Sequence, residues 1–171
     1  MPRLLIGNFP RQTTAAPSKV ATGSSIKTLL QVVPKSGVAC RILEWGISFD
    51  GSAAATPGVV ELIEADVGAT ITQFVANDFT QYDGDALNIG DPTTAFFDVS
   101  STSKSGYTAS AEGTVATVRN LAGPQLIAPT SQFIQQFPLS ERPAIQAGKF
   151  GRIRVTFPVT VNALCYMIVE V

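Results

Sequence analysis

Through Arg41-Ile42-Leu43-Glu44-Trp45-Gly46-Ile47-Ser48-Phe49 the chain alternates large apolar residues with polar or small ones. Nowhere does it hold a helical apolar period for more than about two turns. Gly, Pro and Thr interrupt nearly every window in which an i, i+3, i+4, i+7 pattern could begin. Successive side chains of a strand point to opposite faces, so Leu43, Trp45, Ile47 and Phe49 fall on one face and Glu44, Gly46 and Ser48 on the other. That pattern is a half-buried strand.

The same reading extends along the chain. Asp50-Gly51 supplies a turn, and Val59-Val60-Glu61-Leu62-Ile63-Glu64 returns as the next strand. Ile153, Val155 and Phe157 alternate with Arg152, Arg154 and Thr156 until Pro158 ends the run. Residues 163–169 are apolar on both faces, as in a central strand covered on two sides. Further strands are expected over 26–33, 69–75, 106–118 and 125–137, the last broken near Pro129. Many short strands with turn signals between them predict an all-β fold, an antiparallel two-sheet β-sandwich of jelly-roll type. Leu43, Trp45, Ile47, Phe49, Leu62, Ile153, Val155, Leu164, Tyr166 and Ile168 are expected in or near its core.

A chain of 171 residues is the size of one domain, able to bury roughly 70% of its unfolded surface. The sandwich is expected over 26–171 and an extended N-terminal arm over 1–25. Residues 9–25 include Pro10, Pro17 and several Ser and Thr but few large apolar side chains. Such a segment gains little by folding onto its own domain, yet it can order itself across a neighbouring subunit. Residues 77–104, rich in Asp, Gly, Ser and Thr, are expected to form a long excursion.

Charge and composition narrow the function. Charged residues make up 15% of the chain and the formal net charge is −1, with no basic stripe to neutralise phosphates, so a nucleic-acid partner is not expected. Weak self-repulsion is permissive of assembly. The start, Met1 to Gly7, carries too short an apolar run for a signal peptide, and the run at 163–169 falls short of the ~20 residues of a spanning helix. No membrane partner is expected. Cys40 and Cys165 each lie in an apolar strand and are expected as buried free thiols made in a reducing cytoplasm.

Histidine is absent. Its lack removes the commonest general base and metal ligand and every Ser-His or Cys-His nucleophile pair. No phosphate-binding glycine loop is present. Paired carboxylates suffice for glycoside hydrolysis, and Glu44, Glu61 and Glu64 are near one another in sequence, but at strand positions expected to face solvent. Asp83-Gly84-Asp85 with Asn88 and Asp91 resembles a calcium loop, but Leu87, Asn88 and Thr94 stand where ligands, the turn glycine and the closing glutamate belong. Trp45, alternating with Leu43 and Ile47, is read as core rather than a sugar platform. Arg152 and Arg154 are read as the wet face of a strand in preference to a grip on an acidic partner. No catalytic, cofactor-binding or metal-binding residue is assigned, no cofactor is expected, and the chain is read as not an enzyme.

The string Leu43 to Gly51, followed by Val60-Glu61-Leu62-Ile63-Glu64, resembles a family of small virion structural proteins of tailed phages of actinobacteria. Gly106-Tyr107-Thr108-Ala109-Ser110-Ala111-Glu112-Gly113, Ala128-Pro129-Thr130, Gln136-Phe137-Pro138-Leu139 and the closing strings 152–156 and 161–165 carry the same likeness, which spans the chain from about Lys27 onward. The resemblance implies a capsid decoration protein that binds the major capsid protein from outside and resides in the virion after synthesis in the host bacterial cytoplasm. Self-association as a homotrimer is expected on a separate ground, since trimers fit the three-fold positions of an icosahedral shell. The alternative is a tail or fibre structural protein whose sandwich binds carbohydrate; it needs exposed aromatics, and Tyr82, Phe96, Phe97 and Tyr107 sit in loop-like context.

Overall fold

The computed structural model describes residues 1–9, 14–75, 78–82, 95–114 and 118–171. In chain order its strands are β1 (Arg3–Gly7), β2 (Val20–Ala21), β3 (Ile26–Val32), β4 (Cys40–Phe49), β5 (Gly58–Ala65), β6 (Thr70–Gln73) and β7 (Phe79–Gln81). They continue with β8 (Gly106–Ala111), β9 (Val118–Asn120), β10 (Gln125–Ile127), β11 (Gln132–Gln136), β12 (Ala144–Ile145), β13 (Phe150–Thr156) and β14 (Asn162–Glu170). Two antiparallel sheets pack face to face. Sheet A runs β11-β4-β14-β1-β7, with β12 also on β4 and β2 also on β14; sheet B runs β10-β5-β13-β3-β8-β6, with β9 also on β5.

The topology is a jelly roll. Stripped of their additions, the sheets are β11-β4-β14-β1 and β10-β5-β13-β3. Each pairs early strands with late ones, and along these eight strands the chain crosses between sheets at every step except β5 to β10. This interleaving of two Greek keys over eight strands defines the fold. Its hydrogen bonds therefore depend on residues far apart in sequence, as with β14 against β1, which pairs Glu170 with Arg3 and Tyr166 with Gly7.

One continuous apolar core fills the space between the sheets. Leu4, Ile6, Leu30, Val32, Ile42, Trp45, Ile47, Val60, Leu62, Ile153, Val155, Phe157, Cys165, Met167 and Val169 are all essentially inaccessible to solvent. Burying a side chain of this kind is worth about 1.5–3 kcal/mol. Phe49 and Phe157 meet across the sheets at 4.8 Å between ring centres, and Trp45 leans on Phe133 at 5.2 Å while its Nε1 donates to Gln135 Oε1 at 3.1 Å.

Several expectations need correction. On β14 the residues facing the other sheet are Ala163, Cys165, Met167 and Val169; Leu164, Tyr166 and Ile168, expected in or near the core, lie on the opposite face of the strand, where Ile168 is buried and Leu164 and Tyr166 are half-buried. A run apolar at every position has no alternation to say which parity faces inward. On β4 the register with β14 slips by one between Ile42 and Glu44, so Leu43 is the extra residue and only half-buried, while Ile42 and Cys40 turn inward.

The arm is much shorter than residues 1–25. β1 is a strand of sheet A between β14 and β7, carrying Leu4 and Ile6 into the core. Asn8 prolongs that pairing: its Oδ1 accepts from the Cys165 amide at 2.9 Å and its Nδ2 donates to the Ala163 carbonyl at 3.3 Å. The chain returns to the same strand at β2, where Thr22 is buried and its Oγ1 accepts from the Val161 amide. Between these anchors, residues 14–16, 18 and 19 are exposed, with Lys19 bonded to Asp50, whose carboxyl is held below its ordinary range by that lysine.

The expected excursion over 77–104 also contributes to the sandwich. Of its described residues, 79–81 form β7, and Phe97 is buried, bridged to Pro34 and stacked on Phe79. The strand expected over 106–118 ends at Ala111, and that expected over 69–75 spans Thr70 to Gln73.

Candidate functional site

The three glutamates that sequence proximity brought together are held apart by the fold. Glu44 stands on β4 in sheet A, whereas Glu61 and Glu64 stand on β5 in sheet B. Three residues apart on one strand, Glu61 and Glu64 point to opposite faces. Each is already engaged. Glu61 lies directly across from Arg154 and takes two hydrogen bonds from its guanidinium, at 3.0 and 3.2 Å. Glu64 is buried, not facing solvent as expected. Arg119 grips it at 3.1 and 3.0 Å, and the Gln146 amide donates to it at 2.7 Å. Glu44 accepts from the Tyr166 hydroxyl and from Gln136 Nε2 at 2.6 Å. No two of these carboxylates form the facing pair that hydrolysis of a glycosidic bond requires.

Arg152 departs furthest from expectation. In place of a wet strand face, its guanidinium is wholly buried on the side of sheet B turned away from the core. The cover comes from the chain itself: Arg152 donates to the Val67 carbonyl, and Glu112 supplies an ion pair at 3.5 Å. Beside it, buried Gln31 accepts from the Ala69 amide at 2.9 Å and donates to the Lys104 carbonyl. Burial lowers the Arg152 pKa, with Glu112 opposing the shift. Glu112 also accepts from both the amide and the hydroxyl of Thr28, so one carboxylate ties β3, β13 and the end of β8 together. Nothing in the residues around Glu112 marks it for this role.

The outer face of sheet A is the other distinctive surface. Gly7, Tyr166, Gly46 and Ile134 lie in one row across β1, β14, β4 and β11. A β-carbon on Gly46 would fall 2.6 Å from the Tyr166 ring, and one on Gly7 would fall 2.4 Å from the Phe9 ring. The two glycines thus let aromatic rings lie flat on the sheet. Tyr166 is held there by its bond to Glu44, and burial together with that bond raises its pKa. Phe9, Leu164, Tyr166 and Ile134 line one shallow groove on this face.

Of the four aromatics in loop-like context, only Tyr82 is exposed; Phe97 is buried, and Phe96 and Tyr107 pack against the core. Trp45 is fully buried, as read. Cys40 and Cys165 are free and buried, and lie seven residues out of register, Cys165 opposite Ile47. Burial pushes the Cys40 thiol up to about 12 and raises Cys165 further, against a smaller opposing effect of Asn8. The calcium-like string from Asp83 to Asp91, with Thr94, lies outside the described residues. Among the described residues, no group of three or more Cys, Asp or Glu is placed to hold a metal ion. Comparison with family models, curated proteins and solved structures finds no match.

Proposed function

We propose that this chain is a non-enzymatic structural protein of a phage virion, a decoration protein that binds the major capsid protein from outside the shell and stabilises it as a homo-oligomer. The observation that carries the reading is the commitment of four strand and loop glutamates to the fold: Glu61 to Arg154, Glu64 to Arg119, Glu112 to Arg152, and Glu44 to Tyr166 and Gln136. Each of these carboxylates ties neighbouring strands or loops together, as a structural part would.

Two further points support the reading. The sequence strings resembling actinobacterial phage virion proteins fall largely on the jelly-roll strands β4, β5, β8, β13 and β14. The jelly roll is also a fold that capsid proteins share with lectins, and this is support by analogy of fold alone. A protein that binds only the assembled shell shifts the shell's equilibrium away from disruption by mass action.

The test is to mix purified protein with undecorated shells, sediment them, and heat decorated and bare shells side by side. Co-sedimentation with a raised disruption temperature is the expected result. Binding to isolated tails, or to a glycan surface, would transfer the assignment to a tail or fibre role.

A further inference from the structure

Sheet edges invite pairing with other chains, and folded proteins blunt them by keeping edge strands short, bulged or charged. Three of the four sheet ends here are treated in that way. β7 and β10 have three residues each, with Pro124 and Pro129 close to either end of β10. β6 has four residues and two register shifts against β8. β11 is different. Its five residues, Gln132-Phe133-Ile134-Gln135-Gln136, pair with β4 without a shift, and no charged residue occurs between Arg119 and Glu141.

The hydrogen bonds show which groups of β11 are free. The Phe49 amide donates to the Ser131 carbonyl, and the Phe137 amide donates to the Leu43 carbonyl. In an antiparallel ladder bonded residues alternate, so 131, 133, 135 and 137 bond inward to β4. The amides and carbonyls of Gln132, Ile134 and Gln136 therefore point away from the sheet, and no described strand other than β4 pairs with β11. The side chains of those three residues are exposed on the outer face of sheet A, Ile134 at 53%.

We propose that β11 is a self-association edge: two copies of this chain pair antiparallel through it, about a two-fold axis at Ile134, joining their A sheets into one. A strand paired antiparallel with itself is self-complementary. Centred at Ile134, the axis sets Ile134 against Ile134 of the second copy and Gln132 against its Gln136, and each such pair exchanges both of its N–H···O bonds. The side chains meet like with like, Ile on Ile and amide on amide, with no charge to repel. The apolar row does not stop at the edge either. Tyr166, lying over Gly46, leads to Ile134 and would continue into the same row of the second copy. Backbone pairing sets the register, and the row supplies apolar burial. A second copy is the occupant this edge fits, because its own sequence satisfies every requirement.

This inference gives the homo-oligomer of the proposed function an interface and rests on that part of it alone; shell binding could fail with the pairing intact. An isologous edge closes at two copies, so it specifies a dimer where shell geometry led to the expectation of a trimer. Sedimentation equilibrium of the full chain, up to about 1 mM, should show the mass rising from 18.0 kDa toward twice that value.

Ile134→Lys, which sets two ammonium groups side by side at the axis, should weaken association at least tenfold. Ile134→Pro should do the same by removing an amide that β4 does not use. Leu126→Lys on β10, at a side chain that is more exposed, should leave association unchanged. Retention of the Trp45 fluorescence spectrum checks that each variant is folded. A monomer at every concentration, a trimer, or an oligomer indifferent to both Ile134 variants would overturn the proposal.

Discussion

Arg152 and Glu112 form a salt bridge at 3.5 Å in which the guanidinium has no solvent exposure and the carboxylate about a fifth of its surface. The pair closes sheet B on its outer side. Glu112 arrives just after β8, and Arg152 sits mid-strand on β13 between β5 and β3. Removing one member of such a pair leaves an uncompensated buried charge and typically costs about 3–5 kcal/mol, whereas replacing both with apolar residues is often neutral. Glu112→Ala should therefore lower stability by about 3–5 kcal/mol, measured as a shift of the urea midpoint at constant slope. Glu112→Leu combined with Arg152→Met should recover most of that loss. A Glu112→Ala cost below about 1 kcal/mol would reduce the bridge to an ordinary surface pair.

The register slip on β4 makes a second prediction. Ile42 is fully buried and Leu43 half-buried, the reverse of what unbroken alternation from Phe49 implies. Ile42→Ala should cost about 2–5 kcal/mol through lost burial and a residual cavity. Leu43→Ala, beside solvent, should cost clearly less. Equal costs, or a larger cost at Leu43, would contradict the slip.

That contrast marks the limit of what the sequence carries. Period-two alternation shows that a strand exists, and β4, β5 and β13 follow from it within a residue or two. An inserted residue leaves no mark in composition, so alternation alone sets Leu43 on the core face. The unbroken apolar run of β14 announces a central strand but not its parity, so nothing in it sets Leu164 and Tyr166 on the outer face. β1 reads as part of an arm because Leu4, Leu5 and Ile6 are too few to show a period; their strand character comes from pairing with residues more than 150 positions away. The polar side was legible in a different measure. Glu44, Glu61, Glu64, Arg152 and Arg154 could be picked out as charges on strands, but who pairs with whom depends on jelly-roll register and on the loops that roof sheet B.

The two thiols give a pH prediction with a definite sign. Burial raises Cys40 from an ordinary 9.0 to about 12, and Cys165 is raised as well. The folded chain therefore keeps both protons at a pH where the unfolded chain has released them. Stability from this source is fully present below pH 9 and is lost as pH rises from there toward 12, by at most about 1.4 kcal/mol per pH unit for each thiol. Denaturant unfolding at a series of alkaline pH values should show the decline, and Cys40→Ala should flatten part of it. Below pH 9 a thiol reagent should react slowly with the native protein and count two thiols after denaturation. Rapid native labelling would show that one of the strands opens.

The last prediction concerns the N-terminus. Were residues 1–25 an arm, a chain beginning at Ile26 would keep its sandwich. The structure requires the opposite. β1 fills the position between β14 and β7, and without it one side of β14 from Tyr166 to Glu170 loses its ladder partners. Leu4 and Ile6 would leave the core, removing about 3–6 kcal/mol of burial together, a large share of the stability of an ordinary domain. Loss of Asn8 would leave the Cys165 amide without the acceptor it has now. A chain starting at Ile26 should be unfolded or aggregated, with no cooperative thermal transition. Shortening only the exposed residues 14–16, between the anchors Asn8 and β2, should leave the transition within a few degrees of the full chain. A cooperative transition in the longer truncation would return β1 to the status of an arm.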